Sequence, residues 1–328
     1  MSHPRAFVTR AIPEEALDLL ASEMKVEVWA EETPPTADVL RRKAAGVDGI
    51  FITIMDKVDG HLLDAAPRLK VISQMAVGLD NVDLTQATHR RIPVGYTPGV
   101  VSEATADQTL ALLLAAARRI PEANHWVKQG NWEIAFHPLY WLGSEVHHTT
   151  LGIIGMGKIG MEVAKRARGF DMQLLYNSRS PKPEAEVLYG AKYTDLRTLL
   201  KSSDYVTLHV PLTTDTRHLI GEAELRMMKR SAILVNVDRG SIVNAKALYK
   251  ALKERWIAGA ALDVTDPEPI CANDPLLTLE NLVVVPHLGS STVTTRTRMA
   301  MLAAKNLMAG LRGEPLPHCA NPEVYSKQ

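Results

Sequence analysis

The stretch Leu151-Gly-Ile-Ile-Gly-Met-Gly-Lys-Ile-Gly160 decides the fold. Leu151–Ile154 reads as an apolar strand, Gly155, Gly157 and Gly160 follow at GxGxxG spacing, and Met161–Arg168 continues with helical periodicity. In a strand–turn–helix unit that receives a dinucleotide, the three glycines have separate tasks. Gly155 permits the tight turn, Gly157 lets the backbone approach a pyrophosphate, and Gly160 lets helix and strand pack closely. The helix N-terminus would offer its free N–H groups and positive dipole end to the phosphates, with Met156, Lys158 and Ile159 completing the cradle. A glycine-rich turn without a ligand shares this short pattern. The strand before it and the helix after it make the dinucleotide site the stronger reading.

Outward from the glycines, the next strand, Gln173–Tyr176, runs into Tyr176-Asn-Ser-Arg-Ser180, with Lys182 just beyond. Folds that take NAD usually end this strand in Asp or Glu, which bonds the ribose hydroxyls and repels a 2′-phosphate. Here Asn177, Ser178 and Arg179 occupy the position. A hydroxyl and a guanidinium suit a phosphate dianion, so the expected cofactor is NADPH, with NADP preferred and NAD admitted. The competing reading is an exposed loop with an incidental Arg.

Four more strands follow, at Tyr205–His209, Ala232–Val235, Gly259–Asp263 and Leu282–Val285, with helical segments such as Leu196–Lys201 and Ala245–Arg255 among them. Six strands in this order suit a doubly wound Rossmann fold, whose ligands sit at the carboxyl ends of the strands. Upstream, Ala6–Thr9, Val26–Trp29, Gly49–Thr53, Leu69–Ser73 and Val94–Tyr96 alternate with helical segments, beginning with Glu14–Ser22, as a separate α/β unit. The Ala/Leu-rich Ser102–Arg119, with Ser102 as N-cap, reads as a long buried helix between the two units. Trp126–His148, rich in aromatics, His and Gly, reads as an extended arm, and Val293–Leu311 as a final helix. The fold class is α/β, with two doubly wound parallel-sheet domains.

Composition narrows the partners. A chain of 328 residues favours two domains over one core. With 37 basic and 37 acidic side chains there is no excess for a phosphate backbone, so nucleic acid is not an expected partner. No apolar run reaches membrane-spanning length, and Met1-Ser-His-Pro-Arg5 does not read as a signal peptide. Cys271 and Cys319 are far apart and outside any ligand-like pattern, so no metal is expected; the cysteine usage suits the cytoplasm.

Three polar residues stand at the ends of successive late strands: Arg239 in Val235-Asn-Val-Asp-Arg-Gly-Ser241, Glu268 in Leu262-Asp-Val-Thr-Asp-Pro-Glu-Pro269, and His287 in Val284-Val-Pro-His-Leu-Gly-Ser290. Singly they read as a surface charge, a solvated turn and a core histidine. A cleft at the strand ends would collect all three. With Val71-Ile-Ser-Gln-Met-Ala-Val-Gly-Leu-Asp-Asn81 and the glycine turn, these segments make the chain resemble the D-isomer-specific 2-hydroxyacid dehydrogenases over essentially its full length. Within that family it is most similar to the glyoxylate/hydroxypyruvate reductases, including a branch that also reduces 2-ketogluconate.

The resemblance implies a flavodoxin-like substrate domain at about residues 1–100, a nucleotide domain at about 101–287, and a C-terminal helix and tail, 288–328, returning to the first. It implies a homodimer, with Trp132, Tyr140 and Trp141 of the arm either as anchors of that contact or as aromatics buried within one subunit, and closure of the domains over the substrate. In catalysis, Arg239 would hold the carboxylate and carbonyl oxygens of a small 2-keto acid, and the N–H groups of Val77 and Gly78 would receive the carboxylate. His287 would act as general acid and Glu268 would orient its imidazole. On the cofactor side it adds Thr105, Pro211, Val237, Asp263, His287 and Gly289. Asp107 departs from the Glu of many relatives. The alternatives are an NAD-dependent D-lactate or D-3-phosphoglycerate dehydrogenase, and a nucleotide-sensing, dimeric corepressor-like binding protein.

Overall fold

In the first unit, short runs of β-branched and aromatic residues form five parallel strands: β1 (Arg5–Val8), β2 (Lys25–Val28), β3 (Gly49–Ile52), β4 (Val71–Gln74) and β5 (Val94–Gly95). They lie in the order β2-β1-β3-β4-β5, the flavodoxin-like arrangement. Phe7, Ile50, Phe51, Val71 and Ile72 are buried, as expected of parallel strands covered on both faces. Each such side chain contributes about 1.5–3 kcal/mol. This computed structural model describes residues 3–326. Met1 and Ser2, which begin the segment read above as lacking a leader, and Lys327 and Gln328 lie outside the described residues.

The chain returns to this unit at Thr292. Thr292 caps the helix Val293–Arg312 by accepting the Thr295 N–H, and Gly313, with φ of +77°, ends it. Met299, Ala300, Ala303, Ala304 and Leu307 place its apolar face in the core with Val71 and Phe51, and the Ser73 hydroxyl donates to the Ala303 carbonyl at 2.7 Å. The tail then covers the edge strand: Ala320 N–H donates to Val94 O, and Val94 N–H donates to Asn321 Oδ1. β5 is therefore shorter than expected, because Tyr96 N–H turns away to His318 O.

The second unit, Ser102–Ser291, holds seven parallel strands: β6 (Thr150–Ile154), β7 (Gln173–Asn177), β8 (Lys192–Tyr193), β9 (Tyr205–Leu208), β10 (Ile233–Asn236), β11 (Gly259–Leu262) and β12 (Leu282–Val284). Their order is β12-β11-β10-β9-β6-β7-β8. From β6 the chain winds out to β8 and then crosses back to β9, so the switch point falls between the carboxyl ends of β6 and β9. The sequence suggested six strands. The seventh, β8, is a two-residue exposed edge with no apolar run to announce it, paired at Leu175↔Lys192 and Tyr176↔Tyr193. Asp263 keeps Leu288 and Gly289 with this unit, so it extends four residues past the expected boundary at 287.

The helix Ser102–Ala117 belongs to the second unit and packs Ala106, Leu110, Leu113 and Ala117 against Leu151, Ile153 and Val235. The arm differs from expectation at its start, where residues 126–128 complete a helix, Ile120–Lys128, that has Pro121 in its first turn. Residues 131–149 form no regular element. Trp141 is half-buried, 5.6 Å from Trp126 and beneath the Arg119 guanidinium, whereas Trp132, Phe136, Leu139 and Tyr140 are exposed. Among the described residues no helix is long and apolar enough to cross a membrane.

Candidate dinucleotide and catalytic site

The glycine turn follows β6 directly. Gly155 has φ of +100°, and a Cβ there would stand 2.2 Å from the His209 carbonyl oxygen, so both conformation and space require glycine. A Cβ on Gly160 would meet Gly155 O at 2.2 Å, whereas one on Gly157 would meet no atom within 4 Å. Gly157 thus faces open space at the N-cap of the helix Lys158–Ala167, whose first turn includes Ile159. Met156 is buried in the core of this unit. A bare backbone beside a helix N-terminus, with room before it, fits a pyrophosphate.

At the end of β7, the Asn177 side-chain amide donates to Thr194 O at 2.9 Å and the Ser178 hydroxyl to Ser180 O at 2.6 Å, which folds the loop back on itself. Arg179 is exposed, and residues 177–182 include no carboxylate. The Ser178 proton is thus engaged within the loop, which leaves the Arg179 guanidinium as the charged donor at this strand end.

The three catalytic candidates lie at the same edge of the sheet, after the neighbouring strands β10, β11 and β12. Pairing continues past the strand ends and brings their loops into register: Asp263 N–H donates to Asn236 O at 2.8 Å, and His287 N–H to Asp263 O at 2.9 Å. Arg239 is half-buried, and its Nη1 donates to Asp238 O. Fully buried Asn236 pins this loop, with Nδ2 donating to Arg239 O and Oδ1 accepting Asp238 N–H. Gly240 lies so close to the next loop that a Cβ would be 2.0 Å from the Thr265 carbonyl carbon. The Ser241 hydroxyl donates to Asp266 across the same seam. These contacts fix the Arg239 loop against the Glu268 loop.

Glu268 Oε1 and His287 Nδ1 are 2.5 Å apart, and both side chains are partly exposed. The pair leaves Nε2 as the nitrogen able to serve a ligand. His287 has φ of +56°, a conformation His tolerates better than most residues. Asp263 shapes that turn, its two carboxylate oxygens accepting Leu288 N–H at 2.7 Å and Gly289 N–H at 2.8 Å. Burial pushes the Asp263 carboxyl up from the usual carboxylate range, and the two N–H groups and His287 offset only part of that. The Thr105 hydroxyl donates to Gly289 O at 3.2 Å, so its single proton is engaged within the protein. Val237 is buried after β10, and Pro211 is exposed after β9.

Two groups escape a reading of the sequence. His209, at the end of β9, is buried, and among the described residues neither ring nitrogen has a partner; burial pushes it down to about 3, so the ring is neutral. Nothing in an apolar strand ending in His distinguishes it beforehand. In the first unit, Val77 and Gly78 form an exposed loop after β4, held by Gln74 and Asn81. Those two polar residues stand in the motif at 71–81, which carries the resemblance without giving them a task.

Comparison with known proteins agrees with this architecture. Residues 110–289 match the model of the D-isomer specific 2-hydroxyacid dehydrogenase NAD binding domain. A glyoxylate reductase of Korarchaeum cryptofilum is 50% identical over 321 residues, covering 98% of this chain and 97% of that protein. The crystal structure of a Thermus thermophilus protein superposes with TM-score 0.91 at 45% identity, over 96% of this chain and 99% of the other. An NADPH-dependent glyoxylate/hydroxypyruvate reductase of Sinorhizobium meliloti, crystallised with NADP and malonate, aligns over 100% of this chain and 99% of its own, with TM-score 0.85 and 31% identity.

Proposed function

Since the chain belongs to the D-isomer-specific 2-hydroxyacid dehydrogenases, we propose that it reduces glyoxylate to glycolate, and hydroxypyruvate and the larger 2-ketogluconate to D-2-hydroxy acids, with NADPH as preferred donor. The observation that carries the reading is the 2.5 Å pair of Glu268 and His287 at the sheet edge that also bears Arg239. When bound, reduced nicotinamide would supply a hydride to the carbonyl carbon. The chain's own residues manage the charge this creates. Arg239 holds the carbonyl oxygen and a carboxylate oxygen with parallel N–H donors, and electron density arriving on the carbonyl oxygen strengthens that contact. Protonated His287 gives its Nε2 proton to the same oxygen, completing the alcohol, while Glu268 balances the imidazolium and fixes its orientation. Steady-state oxidation of NADPH on addition of glyoxylate tests the reading.

The cofactor would rest on the glycine turn at 155–160, with Arg179 on its 2′-phosphate. Loss of one charge-assisted contact is worth about 1.5–3 kcal/mol, a roughly ten- to hundredfold change. Arg179→Ala should therefore lower the ratio of kcat/KM for NADPH to that for NADH by this factor. An unchanged ratio would remove Arg179 from the assignment. Asp263, Val237 and Pro211 would line the nicotinamide end. Thr105 would donate to a phosphate only by releasing Gly289 O.

A homodimer is the assembly that best accounts for Trp132, Ile134, Phe136, Leu139, Tyr140 and Leu142, six large apolar side chains exposed on one arm. Sedimentation at twice the monomer mass is the expected result. A monomer at micromolar concentration would contradict it.

A further inference from the structure

The loop at 177–182 leaves β7 beside the glycine turn and is fastened at both ends. At the near end Gly155 N–H donates to Asn177 O at 2.8 Å, and Asn177 Nδ2 donates to Thr194 O at 2.9 Å. At the far end Lys182 N–H donates to the Tyr176 hydroxyl at 2.6 Å. The stretch between is tied as well: the Ser178 hydroxyl donates to Ser180 O, and the Tyr193 hydroxyl to Ser178 O at 3.3 Å. Arg179 stands midway, exposed, and among the described residues no carboxylate pairs with it. A guanidinium held out on a fastened loop, whose base is hydrogen-bonded to a phosphate cradle, is placed to meet an anion.

Tyr176 is the side chain that closes this loop. It precedes the last residue of β7 and is fully buried in the core of the unit, its ring 5.5 Å from that of Tyr193. Its hydroxyl joins the loop to the helix Pro183–Tyr189, accepting the Lys182 N–H and donating to Glu186 Oε1 at 2.8 Å. Lys182 is the N-cap of that helix, and its carbonyl accepts the N–H groups of Ala185 and Glu186. One phenol thus sets both the span of the loop and the point where the helix begins. Burial above all pushes the hydroxyl up from the usual tyrosine range, so it keeps its proton and Glu186 remains the acceptor. The ring and the hydroxyl have separable tasks: the ring fills the core, and the hydroxyl holds the loop.

We propose that Tyr176 is a positioning residue that, with Glu186, fixes where Arg179 stands and so sets the preference for a dinucleotide bearing a 2′-phosphate without touching it. This rests on the NADPH reading given above. Tyr176→Phe keeps the ring and removes both bonds of the hydroxyl. Glu186→Ala removes one of them and leaves the bond from Lys182 N–H, whereas Glu186→Gln keeps an acceptor oxygen.

The test is equilibrium binding of NADPH and of NADH, followed by nicotinamide fluorescence with no keto acid present. Freeing the loop sacrifices part of the Arg179 contact, so Tyr176→Phe should raise the Kd for NADPH by roughly three- to tenfold. The Kd for NADH should stay at the parent value. Glu186→Ala should shift the same ratio by less, and Glu186→Gln should leave it near the parent. Added to Arg179→Ala, Tyr176→Phe should change the ratio no further. An NADPH affinity unchanged in Tyr176→Phe overturns the proposal, as does an effect that persists without Arg179. An equal loss for both dinucleotides also overturns it, since that would mark a merely structural role. Should Tyr176→Phe lose its thermal transition, the Glu186→Ala result decides alone. A parent protein that binds NADH as tightly as NADPH overturns the NADPH reading and this inference with it, whereas a parent that prefers NADPH beside an equally selective Tyr176→Phe overturns the inference alone.

Discussion

His287→Ala should lower kcat for glyoxylate by about a hundred- to ten-thousand-fold, the usual contribution of a positioned general acid. NADPH affinity changes little. The asymmetry follows from the structure. The backbone of the turn, not the ring, anchors it: Asp263 holds the Leu288 and Gly289 amides, and His287 N–H reaches Asp263 O. Removing the imidazole should leave the turn and the glycine cradle standing while taking away the proposed proton donor. Glu268 holds the ring through Nδ1, so Glu268→Ala should reproduce part of the loss by freeing the ring to rotate. Equilibrium NADPH binding and steady-state rates on the same preparation separate the effects. A His287→Ala enzyme with near-parental kcat would transfer the proton-donor role elsewhere.

Arg239→Lys should cost nearly as much as Arg239→Ala. Two charge-assisted bonds at about 1.5–3 kcal/mol each correspond to a loss of roughly a hundred- to ten-thousand-fold in kcat/KM for the keto acid. An ammonium retains the charge and lacks the planar fork that binds two oxygens at once. The loop will not relax to rescue it, because Asn236 clamps Arg239 O and Asp238 N–H from a fully buried position and Gly240 is wedged against Thr265. Free guanidinium added to Arg239→Ala should recover part of the rate. A Lys variant with parental kcat/KM would show that charge alone suffices and that the fork is not used.

How much of this is legible in the chain depends on whether a residue's task is local. Gly155 and Gly160 are legible, since a tight turn and a close helix–strand approach leave a local pattern, and the structure gives each the constraint that pattern implies. The parallel strands are legible for the same reason, as apolar runs buried on both faces. β8 is not: two residues at an exposed edge pair with β7 through backbone alone, and Lys192 and Tyr193 carry no sign of it. The helical start of the arm is masked by its aromatic and histidine content, although Pro121 sits where a helix begins. The three catalytic candidates follow from strand-end positions and family likeness. The 2.5 Å contact between Glu268 and His287, and the hold of Asn236 on Arg239, depend on strand order, which no local pattern encodes. Gln74 and Asn81 are the extreme case, polar residues whose partners include backbone atoms of other loops.

In the proposed reaction hydride from NADPH adds to one face of the 2-keto acid carbonyl and the oxygen takes a proton. The most direct test follows NADPH oxidation by the purified chain with hydroxypyruvate and determines the configuration of the product, since glyoxylate yields an achiral alcohol. The expected result is keto-acid-dependent NADPH consumption matched by an equal amount of D-glycerate. A folded protein that binds NADPH yet consumes none above background, or that forms L-glycerate, would contradict the account.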